Sequence, residues 1–77
     1  MNRWQPCKRR EFIKRLRQLD FDGTYSGTRH QFMLYEKYRM TIPSNKEYSI
    51  PQLRMILNEV EGILGRPITV DEWNDLA

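Results

Sequence analysis

The chain predicts an α+β fold, with helices laid on one face of an antiparallel sheet, on three observations. A helical apolar stripe lies near the N-terminus, three short β-prone runs follow it, and two capped helical segments close the chain. The order read along the sequence is α-β-β-β-α-α.

The first periodic segment covers about 8–19. Phe12, Leu16 and Leu19 recur at i, i+4 and i+7, and Ile13 widens the stripe, which is the spacing of an amphipathic helix. Lys8, Arg9, Arg10, Lys14, Arg15 and Arg17 cover much of the remaining helix surface. Asp20-Phe21-Asp22-Gly23 then breaks the helix with acidic turn residues and a glycine.

Runs at 24–26, 30–35 and 38–42 read as strands, and the two residues Glu36-Lys37 between the last two have the length of a tight hairpin. Gly27 is expected to be a turn residue with positive φ. Strand alternation puts His30, Phe32 and Leu34 on one face and Gln31, Met33 and Tyr35 on the other; Tyr38, Met40 and Ile42 share a face of the third strand. Phe32, Leu34, Met40 and Ile42 are expected to pack under the helices, with His30 at the edge of the same face, near a helix end. Pro43 cannot donate to a ladder and ends the strand.

Residues 44–48 read as a polar loop. Ser49-Ile50-Pro51-Gln52 has the form of a helix start, with Ser as N-cap, Pro in the first turn and Gln three residues on. Leu53, Ile56, Leu57, Val60 and Leu64 keep the helical period up to the stop Gly65-Arg66-Pro67. Thr69-Val70-Asp71-Glu72 is a second capping box, opening a short helix with Val70, Trp73 and Leu76 on one side.

Seventy-seven residues make one small domain, 1–77, of a size that buries about 60–65% of its unfolded surface. Cys7 is the only cysteine, so there is no internal disulfide, and a free thiol in a small fold suits a reducing cytoplasm. Cys7 itself reads as a filler near a helix start. No long apolar run is present, so no membrane span is expected, and Met1-Asn2-Arg3-Trp4 lacks the apolar core of a signal peptide. The net charge of +3 is uneven: Arg3 and the cations of the first helix stand against Glu11 as the only acid before Asp20. Such a basic end favours an anionic partner, whether nucleic acid, an acidic protein or a membrane surface, against the alternative of a solvated helix face. No carboxylate or His/Cys cluster has ligand spacing, which argues against a metal-dependent nuclease, and no cofactor is expected. His30 is the only histidine, and histidine is the side chain whose unperturbed pKa of about 6.5 lets it exchange protons near neutrality. It is the first candidate for acid–base chemistry, against the alternative of a bystander.

Several short motifs occur in a meaningful order. A basic helix ending near Leu19-Asp20-Phe21 is followed by Gly27-Thr28-Arg29-His30 and a hairpin closing in Thr41-Ile42-Pro43. After a polar loop comes the helix Pro51-Gln52-Leu53-Arg54-Met55-Ile56-Leu57. This resembles the HicA toxin family of bacterial toxin–antitoxin pairs, small messenger-RNA interferases with a fold like the double-stranded RNA-binding domain. The family's glycine-small-x-histidine turn matches Gly27, Thr28, Arg29 and His30. Its strand-ending Ile-Pro matches Ile42 and Pro43, and its Leu-x-x-Ile-Leu helix matches Leu53, Ile56 and Leu57. The likeness covers about 7–64, leaving a short extra C-terminal helix at about 69–76. Two departures stand out: Ser44 and Asn45 occupy positions where members often carry a basic residue and a histidine, and 61–67 looks like an insertion.

The resemblance implies a double-stranded-RNA-binding-domain-like α-β-β-β-α fold and cytoplasmic cleavage of messenger RNA, neutralised by a HicB-type antitoxin. On that footing His30 is the general base or acid at the phosphate. Arg29 and the backbone amides of the Gly27-Thr28 turn would hold phosphate oxygens, and Lys8, Arg10, Lys14 and Lys46 would steer RNA through charge. Tyr25, Tyr35 and Tyr48 are candidates for stacking unpaired bases, and Trp4 and Trp73 for packing or a partner surface. Two rival readings use the same residues: a non-catalytic RNA-binding module, and a protein-interaction module whose basic helix docks on an acidic partner.

Overall fold

The computed structural model describes residues 3–76; Met1 and Asn2, which open the stretch read for a signal peptide, and Ala77 lie outside the described residues. The elements in chain order are β1 (Cys7–Lys8), α1 (Arg9–Gln18), β2 (Asp22–Ser26), β3 (Gln31–Tyr35), β4 (Tyr38–Thr41), β5 (Glu47–Tyr48), α2 (Ile50–Leu64) and α3 (Val70–Asp75). Strands β2, β3 and β4 form an antiparallel sheet in that order, and β1 pairs with β5 in a separate antiparallel ribbon. The class is α+β, as the periodicities predict. The ribbon was not anticipated, and half of it falls in the stretch read as a polar loop.

Each helix has a local reason to start and stop where it does. Ser49 Oγ accepts from the Gln52 N–H at 3.3 Å, and Gly65 closes α2 in the left-handed region, φ 76°, donating its N–H to the Glu61 carbonyl at 2.8 Å. Thr69 Oγ1 accepts from the Glu72 N–H at 3.1 Å and starts α3. The Glu61 carboxylate accepts from the Ile68 N–H at 2.6 Å, so the 61–67 segment is the end of α2 tied to the approach of α3. Helix α1 has no side-chain cap; instead its Arg9 N–H donates to the Lys46 carbonyl at 2.9 Å, just before β5. The β1–β5 ribbon thus does for α1 what a serine does for α2.

The core joins all layers. Phe12 and Leu16 of α1, Leu53 and Val60 of α2, and Trp73 of α3 are buried with Met33, Met40, Ile42 and Tyr48. Phe12 is its centre, meeting Tyr48 edge-on at 5.3 Å and Trp73 at 5.5 Å between ring centroids. Cys7 is buried in the same cluster, as a filler should be.

Phe32 and Leu34, expected under the helices, lie on the opposite face. The two-residue Glu36-Lys37 turn pairs Tyr35 with Tyr38 and Met33 with Met40, so Met33 joins Met40 in the core, both at 0% exposure. Phe32 pairs with Thr41 and Leu34 with Arg39, and both are only half-buried, on the sheet face the helices leave open. Tyr48, read as a loop residue free to stack on a base, is fully buried, and its hydroxyl donates to the Pro43 carbonyl at 2.6 Å. Among the described residues, no helix is long and apolar enough to cross a membrane.

Candidate nucleic-acid interface

The start of α1 carries three consecutive cations, and the β1–β5 ribbon brings a fourth beside them. Lys8, Arg9, Arg10 and Lys46 line an open cavity of about 620 Å³, with Glu47 as the acid among them. Pairing of Lys8 with Glu47 places Lys46 there, 38 positions from Lys8 in the chain and invisible to sequence spacing. Lys14 is exposed one helical turn beyond Arg10 and does not line the cavity.

Arg9 differs from its neighbours. Its Nε donates to the Pro43 carbonyl at 2.9 Å and its Nη2 to Gln31 Oε1 at 2.6 Å. Pro43 O therefore accepts from both Arg9 and Tyr48, which uses its two lone pairs. These bonds fasten the start of α1 to the first residue of β3 and to the strand-ending proline. Gln31 follows His30, so the basic cavity and the Gly27-to-His30 turn lie at the same end of the molecule.

That turn is tight. The Gly27 N–H donates to the His30 carbonyl at 3.0 Å, continuing the β2–β3 ladder beyond the Ser26–Gln31 pair and leaving Thr28 and Arg29 as its exposed tip. Gly27 is not among the positive-φ glycines, which are Gly23 and Gly65, so the expected reason for a glycine here is wrong. Close approach is the reason: a Cβ at 27 would fall inside contact distance of the His30 carbonyl oxygen and 3.1 Å from Arg39 Nη2. The Gly27 amide is also committed within the turn, so of the two amides proposed for phosphate oxygens only that of Thr28 is left.

His30 is exposed, and Gly27 and His30 extend the ladder on the Phe32 side, so the imidazole belongs to the open face and not to the edge of the core. On that face Tyr25 and Phe32 sit 5.7 Å apart between centroids, and Arg39 lays its guanidinium over the Phe32 ring at 3.7 Å. Tyr35, the other tyrosine considered for stacking, is half-buried against Phe21 at 5.0 Å. Trp73 is buried under Arg15, and Trp4 packs at the core margin beneath Arg54.

Ten of the thirteen Lys and Arg residues fall into two sets. Arg9, Arg15, Arg17 and Arg66 donate to protein acceptors and hold the fold: Arg15 to Trp73 O, Arg17 to Gly23 O, and Arg66 to Glu72 at 2.8 Å. The side chains of Lys8, Arg10, Lys14, Arg29, Arg39 and Lys46 make no hydrogen bond or ion pair among the described residues, and all are exposed. An unpaired surface cation is available to an anion at no cost to the fold. Arg39 was missed from sequence because it stands at an ordinary polar position of a strand; only the cross-strand register puts it beside Phe32 and the histidine turn.

Cys7 and Tyr48 are both buried, which disfavours their ionised forms. Burial pushes the Cys7 thiol up, against the partial opposition of Arg15, and burial likewise pushes the Tyr48 hydroxyl up, with Arg9 opposing. A reactive thiol would need the reverse. No protein-family model, no curated protein and no solved structure matches this chain.

Proposed function

We propose that this chain is a HicA-like toxin with a double-stranded-RNA-binding-domain-like topology, a metal-independent endoribonuclease that cleaves messenger RNA in the cytoplasm and is held in check by a HicB-type antitoxin. One observation carries the reading. The only histidine stands exposed in a glycine-pinned turn, and the next residue, Gln31, accepts from Arg9, which lines a basic cavity with Lys8, Arg10 and Lys46.

RNA brings its own nucleophile, so little machinery is required. Neutral His30 takes the proton of the 2′-hydroxyl, the 2′-oxygen bonds to the adjacent phosphorus, and the bond from phosphorus to the 5′-oxygen breaks. The products are a 2′,3′-cyclic phosphate and a 5′-hydroxyl, the departing oxygen recovering its proton from the imidazolium or from water. A placed base of this kind is worth about 10²–10⁴ in rate. Arg29 and the Thr28 amide face the phosphate oxygens, and Lys8, Arg10 and Lys46, with Lys14 farther along α1, draw in the strand through salt-sensitive charge. The free thiol of Cys7 suits a reducing compartment.

Expression of the wild type without an antitoxin is expected to arrest growth and fragment messages, and His30→Ala to do neither. Equal arrest and cutting by His30→Ala would refute the assignment. A second reading has its own support: among the described residues the His30 side chain has no hydrogen bond to orient it, as a pure RNA-binding module would tolerate. Wild type that binds RNA and never cuts it selects that module.

A further inference from the structure

We propose that the open face of the sheet, built by Tyr25, Phe32 and Arg39, is a stacking platform for an unpaired RNA base, so that the substrate is single-stranded at the cleavage point. The inference rests on RNA being the ligand and adds which RNA, and by what surface.

Three features of this face point to a base. Tyr25 is 45% exposed although it stands in a strand, and it flanks Phe32 at 5.7 Å with 35° between the ring planes. Arg39 covers Phe32 at 3.7 Å, so the face presents a tyrosine ring beside a flat guanidinium. That guanidinium has no hydrogen bond or ion pair among the described residues, although Asp22 occupies the same face across Leu34. A stacked arginine with free donors accepts a π-face above it and a phosphate at its edge.

The occupant follows from charge and shape. A helical partner would need a broad apolar surface, whereas this face carries Arg39, Thr41 and Asp22 among its few rings. A duplex hides the faces of its bases in its own stack, so only an unpaired nucleotide can lie on these rings. His30 is two positions from Phe32 on the same side, directly before β3 begins. A base on Tyr25 and Arg39 therefore leaves its neighbouring phosphate beside the histidine turn. The strand would continue round that turn to the basic cavity at the start of α1.

The test measures binding by fluorescence anisotropy at low salt, using an end-labelled, mixed-sequence RNA octamer alone and annealed to its complement. Wild type is expected to bind the single strand more tightly than the duplex. Tyr25→Ala should weaken single-strand binding by about 5- to 140-fold, the range for one stacked base, with Tyr25→Phe restoring it and Arg39→Gln also weakening it. Lys46→Gln should weaken both forms alike. Tyr25 is exposed on an edge strand, and thermal melting checks that each variant is folded. Wild type that binds RNA with no preference for the single strand, or that is matched by Tyr25→Ala and Arg39→Gln, overturns the platform and leaves the nuclease reading standing. Wild type that binds neither form overturns both.

Discussion

Replacing Gly27 with alanine perturbs the histidine turn by one methyl group and replaces no charged or aromatic residue. The added methyl would sit inside contact distance of the His30 carbonyl oxygen and 3.1 Å from Arg39 Nη2. The carbonyl is backbone and cannot swing aside, so the turn has to open. Overpacking of this kind costs about 1–3 kcal/mol, and the 3.0 Å Gly27–His30 hydrogen bond that is then stretched contributes about 0.5–1.5 kcal/mol. Taken together the loss is about 1.5–4.5 kcal/mol, and at about 4–8 °C per kcal/mol for a domain of this size the melting temperature falls by at least about 6 °C. The control is the same chemical change at Gly62, in α2, where a Cβ meets nothing within 4 Å. There alanine lowers the entropy of the unfolded chain and is expected to stabilise by about 0.5–1 kcal/mol. Thermal unfolding of both variants beside the wild type reads the two signs directly. At temperatures where Gly27→Ala is still folded, displacement of His30 by about 1 Å is expected to cost about 10²-fold in RNA cleavage. A Gly27→Ala protein melting within about 2 °C of the wild type would refute the steric account of this turn.

Other outcomes follow from the packing and the charges. Met33→Ala is expected to cost about 2–5 kcal/mol in urea unfolding and Leu34→Ala less than about 1.5 kcal/mol, because only Met33 faces the helices; the reverse ranking would invert the sheet. Arg9→Lys keeps the charge but loses the fork that reaches Pro43 and Gln31, so it is expected to destabilise by about 1–3 kcal/mol, whereas Arg10→Lys stays within about 0.5 kcal/mol. Burial raises both the Cys7 thiol and the Tyr48 hydroxyl above their unfolded values. Their contribution is therefore fully present only well below the unfolded thiol's pKa of about 8.5, and stability falls as pH rises through and beyond it. Unfolding free energies from pH 7 to 10.5 check this, and a thiol reagent should label native Cys7 far more slowly than the urea-unfolded chain.

The helices were legible because each carries its signal within a few residues: the Phe12, Leu16 and Leu19 spacing for α1, Ser49 and Gly65 for α2, and Thr69 for α3. The ribbon was not, since two-residue strands have no period, and Cys7–Lys8 meets Glu47–Tyr48 only through tertiary packing. The face of β3 was misread because Phe32 and Leu34 are as apolar as Met33 and Tyr35. What decides is the pairing imposed by the Glu36-Lys37 turn, which was available in the sequence once its register was followed through to Met40. For the candidate site, Gly27 to His30 could be picked out as a unit because its residues adjoin. Lys46 could be named but not placed, and the choice of Arg10 over Arg9 had no local signal behind it, since one is a fastener and the other a free cation only after folding. Arg39 required the sheet.

The most direct measurement incubates purified wild type and His30→Ala with an end-labelled single-stranded RNA in the presence of a metal chelator. The account predicts fragments ending in 2′,3′-cyclic phosphate from the wild type and intact RNA from His30→Ala. RNA left whole by the wild type, or cut equally by the variant, would contradict it.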